Sequence, residues 1–317
     1  MNTVSIVVRC YNEEQHIGRL LTGLLKQTTK AAQIILVDSG STDATLAIAS
    51  HFPVEMHCIA PDEFSFGRSL NVGCRAAIGD LIAIVSAHVY PVYDTWLEEL
   101  TAAFADEAVA LTYGRQVGDE RTKYSERQIM GRWFPATSEH RQPHPFANNA
   151  NAAIRRSAWE EQPYDEDLTG LEDLDWAKRV LARGYAISYV ATATVVHAHD
   201  ETWTQLVNRY RREAIAHRRI YHENRMGVWE ATRLAVANIA SDYWHAARDG
   251  ALPSNLLSIP AFRMAQFWGT YQGFVRRGEA PDVLRQRFYY PRGIRRPADV
   301  PVLPHARPID YDDVETD

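Results

Sequence analysis

The sequence has no run of about 18 apolar residues, so it predicts no membrane-spanning helix. Its three cysteines, Cys10, Cys58 and Cys74, are far apart and form no Cys-x-x-Cys pair. This spacing argues against a disulfide framework or a zinc site and predicts buried thiols in a reducing compartment. Met1 leads directly into an apolar strand pattern, so we expect no signal peptide and a cytoplasmic location.

Two common phosphate-binding motifs are also missing. No Gly-x-Gly-x-x-Gly follows the first predicted strand, which argues against a dinucleotide-binding fingerprint. No Gly-x-x-x-x-Gly-Lys-Ser/Thr occurs, which argues against a phosphate-loop ATPase. The net charge of −6 at pH 7 argues against a nucleic-acid partner.

What the sequence does contain is a regular alternation of strand and helix patterns. The central stretch is residues 79–91, GDLIAIVSAHVYP, in which a buried parallel strand ends in polar groups before Pro91. Asn12 is the predicted N-cap of the first helix, and Gly184 is predicted to end a later one. The alternation predicts a doubly wound, mostly parallel α/β sheet. Strands are predicted at 4–8, 34–37, 54–59, 81–85, 109–113, 151–154, 185–190 and 194–197, with helices at 44–50, 71–78, 96–104 and 173–183.

The remaining segments predict a long loop and a helical extension. Residues 114–146 are polar and irregular, which is typical of a functional or mobile loop. Helices are predicted at 201–222, 229–248 and 260–276, followed at 278–317 by an arm that is extended or partly disordered. We therefore divide the chain into a main domain, 1–222, and a C-terminal helical region with a tail, 223–317.

The C-terminal helices combine aromatic residues with arginines, and three interpretations stay open. The pattern fits an ordinary core with a solvated edge. It fits peripheral contact with the inner face of the plasma membrane, where a lipid-linked acceptor would be found. It fits a homodimer interface equally well.

Three segments carry a family resemblance: SIVVRCYNEE, ILVDSGSTDAT and FGRSLNVGCRAAIGDLIAIVSAH. In order, they resemble the family-two inverting glycosyltransferases of the A-type fold, and the VDSGSTD form resembles their rhamnosyltransferase-like branch. The resemblance covers about residues 3–200. It implies a nucleotide-diphospho-sugar donor and an acceptor hydroxyl on a glycan or lipid-linked glycan.

The resemblance also implies a donor nucleotide site along the strand ends. Residues that match Tyr11, Glu13 and Asp38 hold the base and ribose in the family, and the block around Arg68 and Asn71 lines the donor site. By itself, Asp38 could equally cap the next helix. This chain has Arg9 where the family usually has Pro. The expected donor-binding residues are Arg9, Tyr11, Glu13, Asp38, Arg68, Asn71, Ser86 and Ala87.

The largest departure from the family is at the metal motif. Family members commonly have Asp-x-Asp after the fourth strand, where it holds Mn²⁺ or Mg²⁺ on the diphosphate, and this chain has Ser86-Ala87-His88. His197, or else His199, lies where related enzymes have a later histidine, so His88 and His197 are the expected metal ligands. The alternative is that these histidines bind phosphate directly, without a metal.

The segment LEDLDWAKRV supplies the candidate base. An acidic first turn suits a helix N-terminus without any catalytic role. The segment nevertheless resembles the family's Glu-Asp motif, which implies Asp173 as the general base and Glu172 as an orienting group. Asn149 and Asn151 are expected to bind sugar, although close asparagines are also common in turns. The expected sugar and acceptor residues are Arg115, Asn149, Asn151 and Trp176.

These observations predict an inverting glycosyltransferase of cell-surface polysaccharide biosynthesis. A sugar nucleotidyltransferase is the first rival, but it needs a Gly-rich basic loop where this chain has residues 9–14, RCYNEE. The second rival is a non-catalytic sugar-nucleotide or glycan-binding protein that has lost Asp-x-Asp. The retained Glu172-Asp173 pair argues against that loss of activity.

Overall fold

The computed structural model describes residues 2–223, 225–275 and 303–311. The strands are β1 Val4–Cys10, β2 Gln33–Asp38, β3 Glu55–Cys58, β4 Leu81–Ser86, β5 Val89–Pro91, β6 Val109–Gly118, β7 Asn151–Arg155 and β8 Ala186–His197. The helices are α1 Ile17–Leu25, α2 Thr45–Ala49, α3 Phe66–Ala76, α4 Trp96–Ala102, α5 Tyr124–Trp133, α6 Arg156–Glu161, α7 Glu172–Ala182, α8 Trp203–Ile220, α9 Val228–Arg248, α10 Leu252–Asn255 and α11 Ser258–Phe274.

The eight strands form one sheet in the order β3-β2-β1-β4-β7-β6-β8-β5. Strands β3, β2, β1 and β4 are parallel, as are β6 and β8, whereas β7 and β5 run antiparallel to their neighbours. The apolar strands β1 and β4 are buried because helices cover both faces of the sheet. The predicted α/β class is confirmed.

The register of the sheet brings three predicted site positions to one edge. Cys10 pairs with Asp38, and Arg9 pairs with Ser86. Because β1, β2 and β4 are parallel, their carboxyl ends meet there. In open α/β sheets this edge is where ligands bind.

Several local predictions need correction. Asn12 does not cap α1, which begins at Ile17; instead its Oδ1 accepts a hydrogen bond from the backbone of Thr42 at 2.8 Å. Residues 89–91, where no strand is predicted, form β5, an edge strand that ends at Pro91 and can therefore hold a proline. Cys58 is exposed, although Cys10 and Cys74 are buried as predicted.

Longer segments also differ from the prediction. The supposed loop 114–146 begins inside β6 and contains α5, whose buried residues include Ser125, Glu126 and Gln128 and therefore gave no apolar periodicity. The two strands predicted at 185–197 are one strand, β8, opposite a register irregularity in β6. The predicted end of a helix at Gly184 is confirmed by its φ of +89°.

Helices α8, α9 and α11 pack together beside the sheet. Glycines let α11 approach α8 closely: a Cβ on Gly269 would lie 2.3 Å from the carbonyl oxygen of Val207. Among the described helices, none combines the length and the apolar character that crossing a bilayer requires. Most of the predicted arm at 278–317 lies outside the described residues. Its described part, 303–311, returns to the sheet, where the Tyr311 hydroxyl donates to the carbonyl of Pro91 at 2.7 Å.

Candidate functional site

Three histidines meet where β4 and β8 end. The His88 ring stacks on that of His197, with their centroids 5.0 Å apart. The Nε2 atoms of His197 and His199 are 2.9 Å apart. One nitrogen from each ring falls within 4.8 Å of the others, so these histidines can share one ligand.

Each histidine is oriented by an oxygen atom that contacts its Nδ1, the ring nitrogen away from the shared ligand position. Nδ1 of His88 lies 2.7 Å from the Glu13 carboxylate, and Nδ1 of His197 lies 2.6 Å from Oε1 of Gln116. These oxygens can only accept, so each Nδ1 carries the proton and each Nε2 keeps a lone pair. Nδ1 of His199 lies between the Glu126 carboxylate, at 2.7 Å, and a guanidinium nitrogen of Arg209, which can only donate, at 2.9 Å. Metal-binding histidines are commonly held by such outer partners.

The protonation state of the cluster also suits a cation. Burial lowers the pKa of His197 well below its usual range, and the neighbouring His199 and His88 lower it further. His197 is therefore neutral near pH 7, which is the form that binds metals. The residues fit a divalent ion that accepts imidazole nitrogen, such as Mn²⁺, better than Mg²⁺, which prefers oxygen ligands.

Glu126 is the buried carboxylate behind the histidines. It lies 2.6 Å from the Arg209 guanidinium, and Arg209 also contacts Glu201 at 3.0 Å. Burial opposes ionisation of Glu126, but Arg209 and His199 outweigh it and hold its pKa well below the usual range. The carboxylate is therefore charged and fixed.

The second part of the site is the acidic start of α7. The Glu172 carboxylate forms an ion pair with Arg9 at 3.2 Å, which ties α7 to the end of β1. Asp173 accepts hydrogen bonds from the backbone of Leu174 at 2.7 Å and of Asn149 at 3.2 Å. Burial and the adjacent Glu172 raise the pKa of Asp173 to about 7, against the lowering effect of those hydrogen bonds and of Arg9. The hydrogen bonds at the helix start thus favour the ionised form of Asp173, but burial and Glu172 outweigh them.

The backbone just before α7 is strained. Leu171 has a φ of +54°, in the left-handed region that bulky side chains avoid. Such a conformation costs on the order of 1–3 kcal/mol and is often found at functional sites. Here it fixes the direction in which the helix start presents Glu172 and Asp173.

Two adjacent asparagines connect the acidic helix start with the histidines. The backbone of Asn149 donates to Asp173, and Oδ1 of Asn148 accepts from Gln116, the residue that also holds His197. The Nδ2 of Asn149 is buried and has no partner among the described residues. A buried donor without a partner is rare and costly, so this amide is available for a ligand atom.

The residues expected around the nucleotide differ in accessibility. Tyr11 is exposed, and Ala87 is buried at the end of β4. Asp38 is also buried, and its oxygens accept from the backbones of Gly40 and Ser41 at 2.9 Å. The Asp38 carboxylate thus shapes the loop after β2.

Two other predicted residues, Asn71 and Arg68, are engaged by protein groups. Both ends of the Asn71 amide are used to fix the segment 159–166, through Trp159, Tyr164 and Glu166. Arg68 forms an ion pair with Glu63 at 3.0 Å near the surface.

Within the sheet, Asn151 also has its amide fully engaged. It accepts from Trp96 at 2.9 Å and donates to the carbonyls of Arg115 and Ala193. Trp176 is wholly buried and donates to the carbonyl of Gln162. The expectation that Asn151 and Trp176 contact sugar is therefore corrected: both stabilise the core. Arg115 is buried too, and its neighbour Gln116 is the residue that reaches the histidines.

Sequence reasoning missed Glu126 and Arg209 as part of the site. Glu126 fell in the supposed loop, and Arg209 was one of several arginines on helices whose role was left open. They are 83 residues apart in the chain. No local pattern links two such positions, so the sequence offered no signal for the pair.

The chain shows clear similarity to known glycosyltransferases in sequence. Residues 5–162 match the family described as Glycosyl transferase family 2. The O-antigen chain rhamnosyltransferase WbaN of Salmonella anatum is 30% identical over 204 residues, which cover 58% of this chain and 62% of that protein. RfbN of Salmonella typhimurium, also an O-antigen chain rhamnosyltransferase, is 25% identical over 65% of this chain and 70% of its own length. The match thus spans about three fifths of the length of WbaN.

Solved structures share the fold. The mannosyltransferase PcManGT from Pyrobaculum calidifontis, in complex with GDP-Man and Mn²⁺, aligns with a TM-score of 0.58 at 19% identity over 86% of this chain and 84% of its own. Residues 1–349 of S. aureus TarS, in complex with UDP-GlcNAc, align with a TM-score of 0.52 at 16% identity, covering 91% and 93%. By the sequence match, residues 5–162 of this chain are a glycosyl transferase family 2 domain.

Proposed function

We propose that the protein is an inverting glycosyltransferase that transfers a sugar from a nucleotide-diphospho-sugar to a hydroxyl of a glycan or lipid-linked glycan. The observation that carries this proposal is the connection between the two parts of the site through Asn148 and Asn149. A base and a diphosphate-binding cluster must lie on either side of one anomeric carbon. Their linkage by adjacent residues supports such an arrangement.

In the proposed reaction, Asp173 takes the proton of the acceptor hydroxyl. The acceptor oxygen attacks the anomeric carbon from the face opposite the leaving group, so a new C–O bond forms with inverted configuration. The old bond from that carbon to the diphosphate oxygen breaks, and the nucleoside diphosphate leaves with the electron pair. Asp173 suits this role because a pKa of about 7 matches the operating pH of a general base.

Arg9 and Glu172 have supporting roles in this proposal. Their ion pair fixes the start of α7, and Glu172 raises the proton affinity of Asp173. The unpartnered Nδ2 of Asn149 would donate to a hydroxyl of the donor sugar or the acceptor. Asn149 is therefore the only one of the two predicted sugar-binding asparagines that we retain.

The histidine cluster would hold a divalent ion on the donor diphosphate through His88, His197 and His199. When bound, such an ion neutralises charge on the leaving diphosphate. The all-imidazole donor set favours Mn²⁺ over Mg²⁺. Arg9, Tyr11 and the loop that Asp38 shapes would contact the nucleotide.

The relatives suggest the biological setting. WbaN and RfbN are named O-antigen chain rhamnosyltransferases, so we infer a role in cell-surface polysaccharide synthesis and a deoxyhexose as the first donor to test. A cytoplasmic enzyme would meet its lipid-linked acceptor at the inner face of the plasma membrane.

The experiment is a screen of nucleotide-diphospho-sugars, with release of nucleoside diphosphate as the readout and Mn²⁺ present. Asp173→Asn should lower turnover roughly a hundredfold to ten-thousandfold while nucleotide affinity stays nearly unchanged. Asp175→Asn is the matched control, because Asp175 lies in the same helical turn but pairs with Arg179. It should keep turnover near that of the wild type.

Two results would contradict the proposal. If no donor is turned over but nucleotide-sugars still bind, the protein is a binding protein of this fold. If Glu172→Gln is inactive while Asp173→Asn is unaffected, the base is Glu172. Nuclear magnetic resonance of the product decides between inversion and retention at the anomeric carbon.

A further inference from the structure

The exposed apolar side chains of the protein are concentrated on its C-terminal helices. Fifteen large hydrophobic side chains are exposed in the described part of the chain, and ten of them lie within residues 203–275. They include Trp229, Trp244 and Trp268. Where such side chains adjoin one another, they mark an interaction surface.

One part of this surface is continuous along α11. Met264, Trp268 and Gln272 are spaced by four residues, and Val275 follows at the helix end, so they share one face. Met264 is 63% exposed, Trp268 54% and Val275 55%. The end of this row borders a cavity of about 460 Å³ between α11 and α8.

Two arginines line the same cavity from α8. Arg211 and Arg218 are seven residues apart, on one side of the helix, with Ile215 between them. Within the described ranges, neither guanidinium has an ion pair or a hydrogen bond. Together with Gln272 they offer donors to an anion. We call the surface formed by Arg211, Ile215, Arg218, Met264, Trp268, Gln272 and Val275 the α8–α11 face.

The charge of this region is opposite to that of the whole molecule. Residues 203–275 carry nine arginines and five carboxylates, a net charge of +4, in a chain whose net charge is −6. An anionic surface would therefore attract this side of the protein and repel the rest. The asymmetry gives the molecule a preferred orientation on such a surface.

We propose that the α8–α11 face binds the anionic surface of a lipid bilayer. Tryptophan side chains favour the interface between acyl chains and headgroups, and arginines bind lipid phosphates. Trp268 and Met264 would enter the interface, while Arg211 and Arg218 would contact phosphates in the cavity. Because no described helix can cross the bilayer, binding takes place on its surface.

A second copy of the chain suits this face less well. A two-fold dimer places the same patch against itself, so the unpaired Arg211 and Arg218 of both copies would come together. Such like-charge contact is unfavourable unless an anion separates them. Membrane binding does not depend on sugar transfer, so the two can be tested separately.

The experiment is co-sedimentation of the full chain with vesicles of phosphatidylcholine alone or mixed with phosphatidylglycerol. We expect retention only with phosphatidylglycerol, weakening as salt rises. The double variant Arg211→Gln/Arg218→Gln should bind roughly tenfold or more weakly. Its control, Arg156→Gln/Arg183→Gln, removes the same charge from α6 and the end of α7 and should bind like the wild type.

The apolar contribution has its own pair of variants. Trp268→Ala should weaken vesicle binding, whereas Ile78→Ala, an exposed residue of the main domain, should not. The proposal would be overturned if phosphatidylglycerol vesicles did not retain the protein at low salt. It would also be overturned if the two double arginine variants lost vesicle binding to the same extent. Binding of inorganic phosphate without vesicle retention would make the cavity a soluble-anion site. A dimer that Trp268→Ala dissociates, again without vesicle retention, would make the face an interface between copies.

Discussion

The ionisation of Asp173 depends on its burial and on two charged neighbours. Burial raises its pKa most, the adjacent Glu172 raises it further, and Arg9 lowers it, which leaves it at about 7. Because the folded-state pKa lies above the ordinary 3.8, ionising Asp173 costs stability progressively as the pH rises from about 4 to about 7. This cost falls on the residue that we propose as the general base.

This dependence predicts opposite pH shifts for two substitutions. The activity of the wild type should rise with pH through about 7 as Asp173 loses its proton. Arg9→Gln removes a cation and should move that rise to higher pH, whereas Glu172→Gln removes an anion and should move it to lower pH. The measurement is kcat/KM against pH for the three proteins. Shifts in the same direction, or none, would mean that another group controls the acidic limb.

The asparagines show how far residue prediction can go. Asn149 and Asn151 looked alike in the sequence, two positions apart in one segment. In the fold, Asn151 is fully engaged by Trp96, Arg115 and Ala193, while Asn149 keeps a buried amide nitrogen without a described partner. The sequence pointed to the correct segment, the one that holds both asparagines. Only long-range hydrogen bonds distinguish the structural residue from the candidate ligand.

Among the helices and strands that the sequence did not predict, α5 contributes most to the site. Three of its five buried residues are polar, so apolar periodicity could not identify it, and its carboxylate finds His199 only after folding. By contrast, β1, β2 and β4 were predicted well because their buried apolar runs are unambiguous. Elements with apolar periodicity are predictable, and those held by buried polar contacts are not.

The α5 contact predicts a change in metal affinity. Glu126→Gln keeps the shape of the side chain but weakens the hydrogen bond that orients His199, so Mn²⁺ should bind about tenfold to a hundredfold more weakly. Calorimetry of Mn²⁺ binding in the presence of a nucleoside diphosphate measures this. Glu55→Gln is the control, because Glu55 forms a similar 2.8 Å pair with His57 on β3.

Three outcomes separate the possibilities at this cluster. Weaker Mn²⁺ binding in Glu126→Gln alone supports an ion held by the histidines. Equal affinity in wild type and Glu126→Gln contradicts the role of α5. If the wild type binds no Mn²⁺ yet binds the nucleotide, the histidines contact phosphate directly.

For the whole molecule, the question is whether the C-terminal helices form a separate unit from residue 223 onward. The packing crosses that boundary. Helix α11 meets α8 at Gly269 and Gly273, and α8 supplies Arg209 to the site. Arg263 on α11 donates to Asp242 on α9 at 2.7 and 2.9 Å and to the backbone of Ser125 on α5 at 3.4 Å. We therefore infer that the helices and the sheet unfold together.

The Asp242–Arg263 pair provides the test, because both side chains are almost completely buried. Asp242→Asn leaves Arg263 charged and without its carboxylate, which should lower the free energy of unfolding by about 3–5 kcal/mol. The double variant Asp242→Leu/Arg263→Met replaces the pair with apolar groups and should recover much of that loss. Denaturant unfolding, followed both by tryptophan fluorescence and by far-ultraviolet circular dichroism, should show one coincident transition for each protein. Two separate transitions, with only the first shifted by Asp242→Asn, would instead establish the helical region as an independent domain.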